Sequence, residues 1–252
     1  MPEEHAFFQE NAGFYSKSPG HSRGPDLKLL LERLAMQRDE SVLDVATGTG
    51  HTALAIAPYA AKVFGVDATE QMLAEAVKLA EAQGLQNVTF VRSDSANLPF
   101  APSTFDIVSC RRAAHHFPDK EKFLSEVARV LRPGGRMGLV DMCPPLAARE
   151  LLDDMERIRD PSHVRSYTSE EWEKAAQDSG LRVVSLDVLE EHLLFPEWLS
   201  PVRTGGAAEE AIRRRLAHAR AEELTALRAR PTSGLIEGWM KRRIVLVAVH
   251  NK

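Results

Sequence analysis

Gly48 and Gly50 stand one residue apart behind the apolar stretch Val42-Leu43-Asp44-Val45. This pattern predicts a buried strand over 42–45, a tight turn, and a helix opening near His51. Glycine lets the backbone turn sharply and come close to a ligand where a Cβ would clash. The helix start then offers unpaired N–H groups to something polar or anionic. A second apolar stretch, 62–66, ends in Asp67, an acid placed to accept both hydroxyls of a ribose. A third, 88–92, runs into Ser93-Asp94-Ser95, where Asp94 can accept from an adenine amino group or simply form a turn. These positions predict a nucleoside-containing cofactor at the carboxyl ends of adjacent parallel strands. A fourth stretch, 105–110, leads into Arg111-Arg112-Ala113-Ala114-His115-His116. Two adjacent imidazoles at the end of a strand are candidate proton acceptors.

Gly48-Thr49-Gly50-His51-Thr52-Ala53 also fits the dinucleotide fingerprint, which keeps a nicotinamide-dependent oxidoreductase open. Two features weigh against it. The Asp44 carboxylate, just before the turn, is unwelcome beside a pyrophosphate and suits an ammonium or sulfonium. No Tyr-x-x-x-Lys catalytic pair is present.

At these residues, and at Glu126-Val127-Ala128-Arg129-Val130-Leu131-Arg132-Pro133-Gly134-Gly135-Arg136, the chain resembles the class I S-adenosylmethionine-dependent methyltransferases. The similarity is to the type that includes quinone-pathway C-methyltransferases, and it covers about residues 26–190. The resemblance implies S-adenosyl-L-methionine as cofactor and S-adenosyl-L-homocysteine as product. It implies cofactor contacts from Asp44, Ala46, Thr47, Gly48, Gly50, Asp67, Ala68, Asp94, Ser95 and Arg111. His115 and His116 become the candidate catalytic bases, and Tyr15, His21, Arg159, His163 and Arg165 the candidate substrate-lining residues. Amide and base-amine methylation is associated with an Asn-Pro-Pro-Tyr type tetrapeptide. Cys110-Arg111-Arg112-Ala113 stands in its place, which favours a small-molecule acceptor. A non-catalytic S-adenosylmethionine-binding protein is the other alternative. No metal is expected, because neighbouring histidines rarely converge on one ion and no carboxylate is spaced to help.

The elements that must position these residues alternate strand and helix, which predicts an α/β fold. The expected architecture is a doubly wound, Rossmann-like, seven-stranded, mostly parallel sheet. The resemblance adds an antiparallel strand near the C-terminus, at 244–249. Helices are read at Pro25-Asp26 onward, over 70–83 with Met72, Leu73, Ala76, Val77 and Ala80 as the buried stripe, after Pro118-Asp119, and after the Thr168/Glu171 capping box. One domain spans 1–252. Its first 25 residues, with Phe7, Phe8, Phe14 and Tyr15, read either as a helix packed on the core or as a cap over the site. Residues 144–166 and 192–234 are helical insertions over the substrate side, the second with a charged helix over 207–230. Lys241-Arg242-Arg243 reads as a solvated strand end. Met72 is assigned to the core by its helical spacing.

The 252 residues, net charge −4 and 44% hydrophobic content suit one globular α/β domain and give no reason to expect a polyanion partner. Neither a secretory leader nor a run of ~20 apolar residues is visible, so a cytoplasmic protein without membrane attachment is expected. The small-molecule acceptor is the expected partner, with no nucleic acid; the helix over 207–230 also allows a homodimer.

Overall fold

The computed structural model describes residues 3–200, 205–229, 231–232 and 235–251. The elements in chain order are α1 (Glu3–Lys17), α2 (Pro19–Arg23), α3 (Pro25–Leu34), β1 (Ser41–Val45), α4 (His51–Ile56), β2 (Lys62–Asp67), α5 (Glu70–Ala82), β3 (Val88–Arg92) and β4 (Phe105–Arg111). They continue with α6 (Lys120–Val130), β5 (Leu131–Met142), α7 (Arg149–Arg159), α8 (Ser169–Asp178), β6 (Leu181–Leu194), α9 (Phe195–Leu199), α10 (Ala207–Ala217) and α11 (Ala221–Ala226). Last come the short pair β7 (Pro231–Thr232) and β8 (Leu235–Ile236), and the long β9 (Gly238–His250).

Seven strands form one sheet in the order β3-β2-β1-β4-β5-β9-β6. The pairs from β3 to β5 are parallel, and β9 runs antiparallel to both of its neighbours, β5 and β6. The mostly parallel sheet with an antiparallel strand near the C-terminus is therefore observed. Apolar side chains cover both faces. Leu30 and Leu34 of α3 and Ala53 and Ile56 of α4 pack on one face. Phe123, Leu124 and Val127 of α6 and Trp172 of α8 pack on the other. A third apolar cluster joins α7, α9, α10 and Trp239 beyond the carboxyl ends of the central strands. The Thr168/Glu171 capping box forms as expected, each side chain bonding the other residue's backbone N–H.

Pro133-Gly134-Gly135 bulges within β5: pairing with β4 begins at Phe105↔Leu131 and resumes at Ile107↔Arg136. Three local expectations change. Val77 is 42% exposed, so the buried stripe of α5 is narrower than its spacing suggested. The helix over 207–230 is broken between α10 and α11, where Arg220 turns extended and its N–H donates to Glu223 Oε2 at 2.7 Å; Arg230 lies outside the described residues. The apolar spacing continues across that break, so periodicity could not reveal it. Finally, β9 begins at Gly238, which draws Lys241-Arg242-Arg243 into the sheet.

Candidate active site

The carboxyl ends of β1, β2 and β4 open onto a cavity of about 280 Å³. On one side its wall is mostly backbone. The Thr47 N–H donates to Val66 O at 2.9 Å and ties the glycine turn to β2. Gly48 (φ +54°) and Gly50 (φ +82°) lie in the left-handed region that favours glycine. At Gly50 a Cβ would also come within 2.9 Å of the Ala76 Cβ. Asp67 closes the turn from β2: its Oδ2 accepts from the Gly48 N–H and its Oδ1 from the Thr69 N–H, both at 2.8 Å. Beyond β3, Asp94 accepts from the Ala96 N–H at 2.8 Å. Ala46, Thr47, Gly48, Asp67 and Ala68 line the cavity, as do Asp94, Ser95 and Arg111. So does Met72, which is buried yet faces this space as well as the core.

Asp44 and Gly50 do not line it. Asp44 lies beneath the turn, 1% exposed, accepting from the hydroxyls of Thr47 and Ser109, each at 2.7 Å. Burial pushes its carboxyl up to about 6, against the pull of those two hydroxyls. The expectation that it faces a ligand cation is therefore corrected: its two oxygens are occupied in holding the turn to β4. Gly50 serves as the N-cap residue of α4, its Cβ direction turned toward α5 and Phe90.

The other side of the cavity is built from side chains that are distant in sequence. Phe8 and Tyr15 come from α1, His21 from α2, Arg111 and Arg112 from the end of β4, His116 from the 3-10 turn Ala114–His116, and Ser162 from the loop after α7. Asp26, fully buried at the start of α3, receives hydrogen bonds from both Arg111 and Arg112 at 2.7–3.2 Å. Burial raises its carboxyl, but the two guanidiniums outweigh that and hold it well below the usual carboxylate range. Arg111 also donates to the carbonyls of His21 and Gly20, which anchors α2. Tyr15 O bonds to His51 Nε2 at 3.0 Å, which fastens the end of α1 to α4. Burial lowers His21 well below its ordinary value, and Arg112 and Arg111 lower it further, so the ring stays neutral.

Of the two adjacent histidines, only His116 lines the cavity. His115 faces Asp141 on β5, with Nδ1 2.5 Å from Oδ1 and its backbone N–H on Oδ2 at 3.0 Å. Burial opposes protonation of His115, but the Asp141 carboxylate overcomes it and raises the imidazole. The opposite holds for His116, which burial and then the neighbouring His115 push well below the ordinary value.

Three predicted substrate-lining residues also stand outside the cavity wall. Arg159 is held by buried Glu156 and by Ser200 O, behind Tyr15. His163 is 4% exposed and pairs with Asp153 at 2.8 Å. Arg165 is an outward-facing partner of Glu171. The expected solvated basic run is corrected too. Arg243 is 8% exposed, and the side chain of half-buried Lys241 makes no hydrogen bond or ion pair among the described residues. Burial, then Arg243, lower the Lys241 amine to about 7. Phe8, named only as one of the aromatics of a candidate cap, lines the cavity, and Arg112 and Ser162 are lining residues that were not among the expected site residues. Arg112 carried a signal, since it directly follows predicted site residue Arg111; Ser162 carried none.

A family model for the methyltransferase domain matches residues 42–135. The chain is 36% identical over 214 residues to the uncharacterized methyltransferase YcgJ of Bacillus subtilis, covering 84% of this chain and 85% of that one. The crystal structure of that protein superposes with a TM-score of 0.86, covering 90% of this chain and 98% of that one. The chain belongs to the class I S-adenosylmethionine-dependent methyltransferases. A demethylmenaquinone methyltransferase of Thermus thermophilus is 43% identical over 115 residues, 44% of this chain and 52% of that one. Membership decides between the two readings of the glycine fingerprint in favour of methyl transfer over nicotinamide chemistry. In this methyltransferase, then, the backbone-lined side of the cavity lies within the matched segment, whereas Phe8, Tyr15, His21 and Ser162 of the other side lie outside it.

Proposed function

We propose that this methyltransferase moves a methyl group from S-adenosylmethionine to a small acceptor that gives up a proton, such as a phenol, an enol or an activated methylene. The observation that carries the reading is the division of one cavity into two chemically different walls. The donor set of the first wall fits the cofactor. Asp67 offers a carboxylate at the end of β2, suited to the hydroxyls of a ribose. Open space beside Gly48, with nothing within 4 Å of its Cβ direction, leaves room for a ligand to approach the backbone. Met72 supplies an apolar surface for a base, and Asp94 and Ser95 stand at its edge.

When bound, the cofactor supplies the electrophilic methyl group; the chain's own residues bind, align and exclude water. On the second wall, Phe8 and Tyr15 close the cavity from above, the role proposed here for residues 1–25 as a cap. The segment 144–166 contributes Ser162 directly. The segment 192–234 acts from behind by packing α10 on α7. His116, neutral and facing the cavity, is the proposed base. Arg112, on the same wall as His116, sets a cation beside an acceptor that gains negative charge as its proton leaves. Similarity to a demethylmenaquinone methyltransferase supports a phenol- or quinol-like compound.

The test is calorimetric titration with S-adenosylhomocysteine, with NADH in parallel and Asp67→Ala as control. Micromolar binding of S-adenosylhomocysteine that the variant loses supports the reading. Absent binding, or binding of NADH in its place, overturns it. Binding without turnover across a panel of phenols, quinols and 1,3-dicarbonyl compounds would point to the non-catalytic alternative.

A further inference from the structure

Ser162 has no counterpart among the expected site residues, yet it lies between a cavity histidine and a buried carboxylate. It is 3% exposed and Asp160 2%. The Asp160 N–H donates to Glu156 O at 2.7 Å, which fixes the residue at the end of α7. Asp160 Oδ1 accepts both the Ser162 backbone N–H at 3.0 Å and the Ser162 hydroxyl at 2.5 Å. Ser162 Oγ then stands 3.0 Å from His116 Nδ1.

The protons along this chain can be assigned by elimination. A carboxylate has only lone pairs to offer, so the single hydroxyl proton of Ser162 is committed to Asp160. Ser162 Oγ therefore presents a lone pair to His116, and the Nδ1 of a neutral ring must carry the proton. The remaining nitrogen, Nε2, holds a free pair. Asp160 Oδ2 lies 4.0 Å from it, too far for a hydrogen bond but close enough to stabilise a proton that arrives there.

We propose that Asp160 and Ser162 are positioning residues that hold His116 in its Nδ1–H form, so that Nε2 is the proton acceptor of methyl transfer. As the acceptor atom bonds to the methyl carbon, the carbon–sulfur bond breaks and its electron pair stays on sulfur. The acceptor's X–H electrons remain on X, and the proton passes to Nε2 and then to water. His115 has a separate part. Paired to Asp141 and favouring its charged form, it lies with its ring centroid 4.0 Å from that of His116 and keeps the latter neutral until a proton is delivered. The other titratable groups around His116 are His163 and Asp160, from the loop after α7, and Glu156 of α7 itself. Phe8 of α1 closes the remaining side edge-on, with ring centroids 5.0 Å apart.

The proposal rests on the methyl-transfer reading but is tested apart from it. Two-bond proton–nitrogen spectra of the ¹⁵N-histidine-labelled protein, with and without S-adenosylhomocysteine, report the tautomer of each ring. His116→Gln assigns the signal. The expected result near pH 7.5 is a neutral His116 with a protonated Nδ1 and a bare Nε2. Ser162→Ala should convert it to a mixture or to the Nε2–H form, and Ser162→Thr should restore it. Asp160→Asn, which can still accept from Ser162, should keep the tautomer but lower the pH at which His116 becomes charged. A wild-type His116 in the Nε2–H or doubly protonated form overturns the proposal. So does a tautomer unchanged in a folded Ser162→Ala. Failure of S-adenosylhomocysteine to bind would show in the same samples and would count against the cofactor reading, while the tautomer of the unliganded protein still decides this one.

Discussion

The two walls of the cavity solve the same problem by different means. The wall proposed for the cofactor is local: β1, the glycine turn, α4, β2 and Asp67 occupy fewer than thirty consecutive positions, and Asp67 binds the turn through backbone N–H groups. Backbone donors tolerate most changes of side chain, so a few positions define this wall. The wall proposed for the acceptor is assembled from α1, α2, the end of β4 and the loop after α7, and long-range charge pairs hold it. Asp26 alone joins α3 to two arginines at the end of β4. The contrast implies that the first wall can stay constant while the second changes with the acceptor.

Five substitutions sharpen or break that contrast. The largest effect is expected from Asp26→Ala, which leaves two guanidiniums without their buried acid. Loss of one member of a buried pair costs about 3–5 kcal/mol, read by chemical denaturation. A loss below about 1 kcal/mol would mean that the acceptor wall does not depend on this junction. Next is Asp44→Asn. Because burial raises the Asp44 carboxyl from 3.8 to about 6, its contribution to stability is fully present below pH 3.8 and is lost as pH rises through 6. The stability of Asp44→Asn relative to wild type should therefore improve by on the order of 3 kcal/mol between pH 4 and pH 7. A pH-independent difference would place the Asp44 carboxyl near its ordinary value. Third, Asp67→Ala should weaken S-adenosylhomocysteine by roughly 100-fold, about 2.7 kcal/mol. His116→Gln should leave that affinity within about threefold, since the wall it alters is the other one; equal losses in both variants would erase the distinction. Smallest is Arg165→Ala. Its ion pair with Glu171 is solvated, so stability should move by about 0.5 kcal/mol or less, with no change in cofactor affinity.

How much of this was legible in the sequence follows the same division. The sheet, its crossovers and the backbone-lined wall were readable, because apolar runs, glycine spacing and acids at strand ends are local signals. Among the residues expected to face the acceptor, Tyr15, His21 and His116 were named and do line the cavity. Arg159, His163 and Arg165 were named from the same polar loop, yet the structure turns them to Glu156, Asp153 and Glu171. Composition can show that a loop is polar but not which member faces inward; here that member is Ser162. The two adjacent histidines teach the same lesson, since consecutive residues in a 3-10 turn point in different directions and only long-range packing shows that Asp141 captures the first. Lys241 and Arg243 were misread because the start of β9 is set by pairing with the distant β6, to which no local pattern in that basic run points.

The position of β9 also bears on how the chain is made. Among the described residues β6 has no partner in the sheet except β9, which the ribosome delivers only after the whole of α9, α10 and α11. Until then the emerging chain carries a fourteen-residue strand with both edges unpaired, while β5 lacks a neighbour on one side. Long unpaired edges invite contact with other chains, and late, non-local pairing is slow. The interval between synthesis of β6 and insertion of β9 is therefore when this polypeptide is most exposed to aggregation and most dependent on chaperones.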